Sequence, residues 1–352
     1  MRVESDDSFV HGLRPSAHNP NPNYPRPSPT ILHSVPSGHL GGQIVALGLP
    51  HAGNSELLYV TRNNAELCKE LCKFSSSITS VTVTPSHEPW NRGKDWFVIA
   101  TAEQARGAGN FFMTNVEIGR RRTFINKDPG DFQMLGNADT TLWCSAQSVA
   151  RIAVGASNAL FLRTHEGDYE RTQPSEGTRN VAFLEYNVVA YSQYGKSCKQ
   201  RGLHLFDVRS QGSNLRFPVS SRLTSIQVPE EGGMQIVASN NDKIMLYDTR
   251  SGKLPLLTIP HVHQGPKLQS TVFRKNLVAA VDRENVVQVY SLRTGRHIKA
   301  LNRLPALAGT DDRALLTSLS YKEDDETGRE TLQACQNGSM LHWTWTGIGD
   351  DM

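Results

Sequence analysis

The sequence predicts an all-β protein, a seven-bladed β-propeller whose ring is closed by an N-terminal strand. Three observations carry this. The first is a repeat: LHLFDVRSQG from Leu203, IMLYDTRSGK from Ile244 and VQVYSLRTGR from Val287 align, placing Phe206, Tyr247 and Tyr290 at intervals of 41 and 43 residues. Self-similarity at that period, carried by short apolar runs, marks four-stranded blades that must stack on neighbours to bury their faces. The second is length. A chain of 352 residues suggests about two domains, but blades of roughly 40–45 residues fill it as one ring. The third is composition: 38% hydrophobic and 20% charged, which suits strands alternating between core and solvent.

Residues 1–29 stand apart. Pro15, Pro20, Pro22, Pro25, Pro27 and Pro29 are interspersed with Asn, Ser and Arg, which predicts an extended or disordered tail. A ligand for a proline-reading module is the alternative. The propeller is expected over 30–347 and a short tail over 348–352.

Within that span, apolar runs recur in groups separated by turn residues. QIVALGL, ELLYVTR and ELCKELCKF form the first group. SITSVTVTP, DWFVIAT, NFFMTNVEI and RRTFIN form the second, and TTLWCSA, ARIAVGA and ALFLRT the third. NVAFLEY, NVVAYSQ, LHLFDVR and NLRFPV follow; then LTSIQV, QIVASN, IMLYDTR and LPLLTI; then STVF, LVAAVD, VQVYSLR and HIKAL. The last group, LTSLSY, TLQACQ and MLHWTW, lacks a fourth strand. Thr30–Val35 (TILHSV) is expected to supply it and close the ring, removing exposed sheet edges. The alternative is that this run extends the tail. The interval from Tyr290 to Trp343 is longer, 53 residues, with charged insertions at Asp311–Asp312 and Lys322–Glu330. Such insertions suit partner contacts.

Charge and motifs exclude several classes. There are 37 basic and 34 acidic residues, without the basic stripe of a nucleic-acid binder. The N-terminus MRVESDD lacks the apolar core of a signal peptide, and no apolar run reaches the roughly 18 residues of a membrane span. Five scattered cysteines fit a reducing compartment, so nucleus and/or cytoplasm is expected. Gly195-Lys196-Ser197 ends like a phosphate loop, but Ala190 stands where that motif needs Gly. Gly155–Ala159 (GASNA) lacks the second Gly of a nucleophile elbow. Cys68 and Cys72 have no nearby His partners, and His261 with His263 makes only two candidate ligands, too few for a metal site. His261 is read as structural. Arg120, Arg121 and Arg122 suit a solvated turn better than a phosphate or acidic-peptide site. Asn337-Gly338-Ser339 is a glycosylation sequon only in form. No catalytic group, metal, cofactor, membrane or small-molecule substrate is expected.

What rises above this background is Asp-x-Arg at the end of the repeated strand. Asp207/Arg209 and Asp248/Arg250 lie one repeat apart, so they fall side by side on one rim. At i and i+2 the side chains project together, and the carboxylate can orient the guanidinium fork towards a partner. Arg293 continues the line, with Ser291 in the Asp position. The competing reading is an Asp that caps a turn beside a merely exposed Arg.

With these residues in view, the chain resembles a divergent WD-repeat protein. FDVR and YDTR stand where that family has Trp-Asp, and the opening Gly-His pair is mostly missing. By this resemblance Asp242, in the turn NNDK, matches the family's turn Asp, and His261 its structural His. The Asp-x-Arg pairs further resemble the docking box of WD-repeat substrate receptors of cullin-four RING ubiquitin ligases, across roughly residues 110–345. The resemblance implies that Asp207, Arg209, Asp248, Arg250 and Arg293 face the ligase's damaged-DNA-binding adaptor while another surface holds a substrate protein. The alternative function is a general assembly scaffold in a chromatin or RNA-processing complex.

Overall fold

The computed structural model describes residues 2–5, 28–35, 42–49, 54–61, 64–85, 95–105, 108–117, 131–135, 140–148, 151–164, 170–172, 177–194, 201–230, 232–263, 270–301, 316–323, 330–336 and 339–345. Among these every regular element is a strand, and no helix occurs. Most of the Pro-rich tract, Arg120–Arg122, Gly195–Ser197, Asp311–Asp312 and most of the Lys322–Glu330 insertion lie outside the described residues. So do Asn337 and Gly338 of the sequon.

The strands assemble into four-stranded sheets. After β1 (Arg2–Ser5), one sheet is β2 (Ser28–Val35), β3 (Gly42–Leu49), β4 (Asn54–Thr61) and β5 (Asn64–Phe74). The next is β6 (Ile78–Pro85), β7 (Asp95–Ala105), β8 (Ala108–Glu117) and β9 (Asp131–Leu135). Then come β10 (Leu142–Gln147), β11 (Arg151–Ala156), β12 (Leu160–Thr164) and β13 (Glu170–Thr172). The sheets that carry the repeat are β14 (Gly177–Glu185) to β15 (Val188–Tyr194), β16 (Gly202–Asp207) and β17 (Gly212–Pro218). They continue as β18 (Ser225–Gln227), β19 (Gln235–Ser239), β20 (Lys243–Asp248) and β21 (Leu257–Pro260). The third is β22 (Ser270–Phe273), β23 (Leu277–Val281), β24 (Val287–Ser291) and β25 (His297–Leu301). Finally β26 (Leu316–Glu323), β27 (Glu330–Gln336) and β28 (Ser339–Trp345) form a sheet with β1.

Two expectations are corrected. The run Thr30–Val35 does not complete the sheet of β26–β28; it lies in β2 and pairs antiparallel with β3, with Leu32 opposite Val45. The edge of β28 is taken by β1, with Val3 opposite Trp343. A partner a few residues away costs little loop-closure entropy, so β2 hairpins onto β3. Arg-Val-Glu-Ser carries no alternating apolar signal that would announce a strand. The second concerns the fourth strand of the second group: RRTFIN lies outside the described residues, and that place in the sheet is taken by β9. Its Leu135 is buried, a role the Arg run opening RRTFIN does not suit.

By compactness the chain divides into two units, Met1–Val98 with Met113–Asp131 and Arg303–Met352, and Ile99–Phe112 with Phe132–Asn302. In the first unit, β2 packs against β26 and β6. Buried Ser55 ties β4 to the start of β6: its hydroxyl donates to the Ser76 carbonyl (2.6 Å) and accepts the Ile78 amide (3.0 Å).

In the second unit successive sheets pack face to face, and β20 shows how. Met245 and Tyr247 enter one cluster with Leu203 and Phe217 of the preceding sheet, while Ile244 and Leu246 enter another with Val278 and Tyr290 of the following one. A period of two therefore feeds both neighbours from one strand. The repeated aromatic always faces back: Phe206 packs with Leu160 and Leu162, Tyr247 against Phe217 at 4.6 Å between rings, and Tyr290 with Ile244 and Ile259. Each buried side chain of this size contributes about 1.5–3 kcal/mol. Side-chain amides stitch the first strands together. Asn180 donates to the Leu223 carbonyl, and Gln227 donates to Ser270 and accepts the Val272 amide at 2.9 Å.

Candidate functional site

Strand register brings the repeated motif to one edge of three consecutive sheets. Asp207, Asp248 and Ser291 each pair with the first residue of the neighbouring second strand, Val188, Gln235 and Leu277. The residue after each is fastened identically. The Val208, Thr249 and Leu292 amides donate to the carbonyls of Asn187, Met234 and Asn276, at 2.9, 2.9 and 2.7 Å. The motif turn therefore rests on the hairpin between the first two strands of its own sheet.

On this base Asp207 and Asp248 build the same clamp. Asp207 Oδ1 accepts the Arg209 amide and Nε, both at 3.0 Å, and Oδ2 accepts Nη2 at 2.9 Å. Asp248 Oδ1 accepts the Arg250 amide at 2.9 Å and Nε at 3.0 Å, with Nη2 on Oδ2 at 2.7 Å. The Ser210 and Ser251 hydroxyls donate to the carbonyls of the same aspartates. The carboxylate thus caps the turn and grips the side of the guanidinium together, so the two readings of Asp-x-Arg describe one arrangement. The aspartates sit low, with side chains 34% and 11% exposed, while Arg209 and Arg250 stand out at 64% and 72%.

The electrostatics follow from these bonds. The Arg250 guanidinium and then its amide hold the Asp248 carboxyl down to about 2, and Arg209 lowers Asp207 in the same way. Both guanidiniums are raised in return. Nε and one Nη2 proton engage the carboxylate, and a guanidinium has five N–H donors. Three per arginine are therefore left to meet an acceptor.

The third copy differs. Ser291 Oγ accepts the amides of Arg293 at 3.2 Å and Thr294 at 3.3 Å, so the turn is capped without a carboxylate. The exposed Arg293 side chain has no acidic partner among the described residues. Gly295 closes this turn at φ +73, where a Cβ would come within 2.8 Å of Leu257 Cδ1.

The two residues read as architectural fare differently. His261 is buried; Nδ1 pairs with the Tyr290 hydroxyl at 3.0 Å and Nε2 with the Val281 carbonyl at 3.1 Å. Burial lowers its pKa, opposed by the Val281 bond and Asp282. Asp242, by contrast, is exposed, and its part is played by its backbone, whose carbonyl accepts the His261 amide. The turn is held instead by buried Asn240, whose Oδ1 accepts the Asp242 and Lys243 amides while Nδ2 donates to Ser221. Asp282 does the same for the following sheet, accepting the Glu284 and Val286 amides and the Gln288 side chain. Position after the second strand would have found Asn240; matching the letter Asp passed over it.

Sequence reasoning also missed Arg216. Its Nη2 donates to the Thr249 carbonyl at 2.7 Å, joining β17 to the neighbouring clamp. His263 is buried too, and its ring nitrogens have no hydrogen-bond partner among the described residues. Among those residues no three His, Cys, Asp or Glu side chains gather as a metal site. Compared with known proteins, the chain matches no family model and no curated protein.

Proposed function

We propose that this chain is a seven-bladed WD-repeat propeller with no chemistry of its own, acting as a substrate receptor. In this reading Arg209 and Arg250, oriented by Asp207 and Asp248, dock the damaged-DNA-binding adaptor of a cullin-four RING ubiquitin ligase. Arg293 extends the contact, and another surface holds the protein to be modified. One observation carries the reading: the same carboxylate–guanidinium clamp occurs twice at equivalent positions of adjacent sheets. Pre-orienting a long side chain removes part of its entropy cost on binding, and arginine is a frequent interface hot spot. Four-stranded sheets joined face to face support the propeller itself.

A second reading, a general scaffold in a chromatin or RNA-processing assembly, is favoured by Ser291, which leaves the third position without the clamp. Co-purification separates them. Arg209→Asp with Arg250→Asp abolishes adaptor recovery if the first reading holds, while the folded chain keeps its melting temperature within a few degrees. Undiminished recovery defeats it.

A further inference from the structure

The docking edge carries features that a row of arginines does not require. The connection leaving the second clamp presents Leu254 and Leu256 to solvent, 79% and 55% exposed. The neighbouring residue turns the other way, since Leu257 lies beneath the Gly295 turn that follows Arg293. Two exposed leucines therefore lie between Arg250 and Arg293 along the chain, in the segment that leads to Leu257 and its contact with the turn of the third copy. A single exposed leucine needs no explanation, but apolar side chains interleaved with guanidiniums are the composition of an interface core with its polar rim.

The charges along this edge are also unequal. Each clamped arginine is neutralised by its own aspartate and offers donors without net charge, which suits a neutral acceptor such as a backbone carbonyl. Arg216 spends a donor on the Thr249 carbonyl and Arg293 has only Ser291 beside its turn, so neither is neutralised by a carboxylate among the described residues. The edge thus sorts into neutral donors at Arg209 and Arg250, apolar surface at the two leucines, and an uncompensated cation at Arg293.

We infer that the partner presents a strip of protein whose apolar residues cover Leu254 and Leu256 and whose carboxylate meets Arg293. This rests on the docking reading and names the chemistry of the adaptor surface it requires. Exposed leucines argue for protein over nucleic acid, since phosphate contacts gain nothing from them, and the overall charge of +3 supplies little attraction for a polyanion.

The test measures affinity for the purified adaptor at low and high salt, each variant first shown to keep the wild-type melting temperature. Arg293→Glu is expected to weaken binding at least tenfold at low salt and to flatten its salt dependence. Ser291→Asp, which supplies the missing carboxylate and clamps Arg293, is expected to flatten the salt dependence with a smaller loss. Leu254→Ser with Leu256→Ser is expected to weaken binding about tenfold with the salt dependence unchanged. If these variants all bind like wild type while Arg209→Asp with Arg250→Asp abolishes binding, the inference fails and the docking reading stands. If the double arginine variant binds like wild type, both fail. A duplex oligonucleotide bound more tightly than the adaptor, and released by Arg293→Glu, overturns the protein partner.

Discussion

Arg216 reaches from the outer strand of one sheet to the carbonyl of Thr249, the middle residue of the next sheet's Asp-x-Arg turn, at 2.7 Å. The turn of the second clamp is thereby tied to β17 of the preceding sheet. Replacing Arg216 with Met should cost only about 0.5–1.5 kcal/mol, yet speed amide exchange at Thr249 and Arg250. Unchanged exchange there, measured by mass spectrometry or NMR, would show that the bond does not hold the turn.

The clamp should survive acid. Asp248 is held down to about 2 chiefly by the Arg250 guanidinium, so its folded value lies below its unfolded one. The stability it contributes is complete above the ordinary carboxylate range and is lost as pH falls through about 2. A carboxyl-carbon NMR titration should place the Asp248 midpoint near that value, and Arg250→Gln should return it towards 3.8. A midpoint indifferent to Arg250 contradicts the clamp.

The turn before β20 offers a contrast between two neighbouring polar residues. Asn240→Ala removes two backbone caps and a bond to Ser221, and should destabilise by about 1–3 kcal/mol. Asp242→Ala, which keeps the carbonyl used by His261, should stay within about 0.5 kcal/mol. Denaturant unfolding measures both, and the reverse order would restore the role suggested by family likeness.

A second pH response comes from the buried histidines. Burial lowers His261, and burial together with His261 lowers His263. Their folded values lie below the ordinary 6.5, so the unfolded chain binds protons first. Stability should therefore fall as pH drops below about 6.5 towards the folded values. Replacing His263 with Phe, which cannot protonate, should shrink this loss in melting curves between pH 7 and 5. A slope unchanged by that substitution would place the proton-sensitive groups elsewhere.

Deleting residues 2–5 should expose the edge of β28, which pairs with β1 from Leu341 to Thr344. The expected result is a lower melting temperature and concentration-dependent association, since open edges recruit other chains. Equal behaviour by light scattering would argue that β1 is dispensable.

How much of this was legible in sequence depended on what each residue uses to hold its place. The strands around Phe206, Tyr247 and Tyr290 were read in order because alternation and a fixed repeat report burial on both faces. The clamps were legible as pairs, since i and i+2 on a strand fixes their side. Pairing partners were not. Arg2–Ser5 pairs with β28 with no alternating apolar pattern in its sequence to announce it, and β2 prefers a nearby hairpin to a distant edge. Asn240 is hidden in the sequence by its neighbour Asp242, whose letter fits the turn position of the family it resembles although the residue is exposed. Arg216 acts across sheets, so its bond to Thr249 emerges only once the sheets are stacked.

The account turns on whether the two clamped arginines are a handle. The most direct measurement is the equilibrium affinity of the purified chain for the purified adaptor, with and without Arg209→Asp and Arg250→Asp. The account predicts a loss of at least a hundredfold, with the β-sheet circular dichroism signal and melting temperature unchanged. Wild-type affinity in that double variant would contradict it.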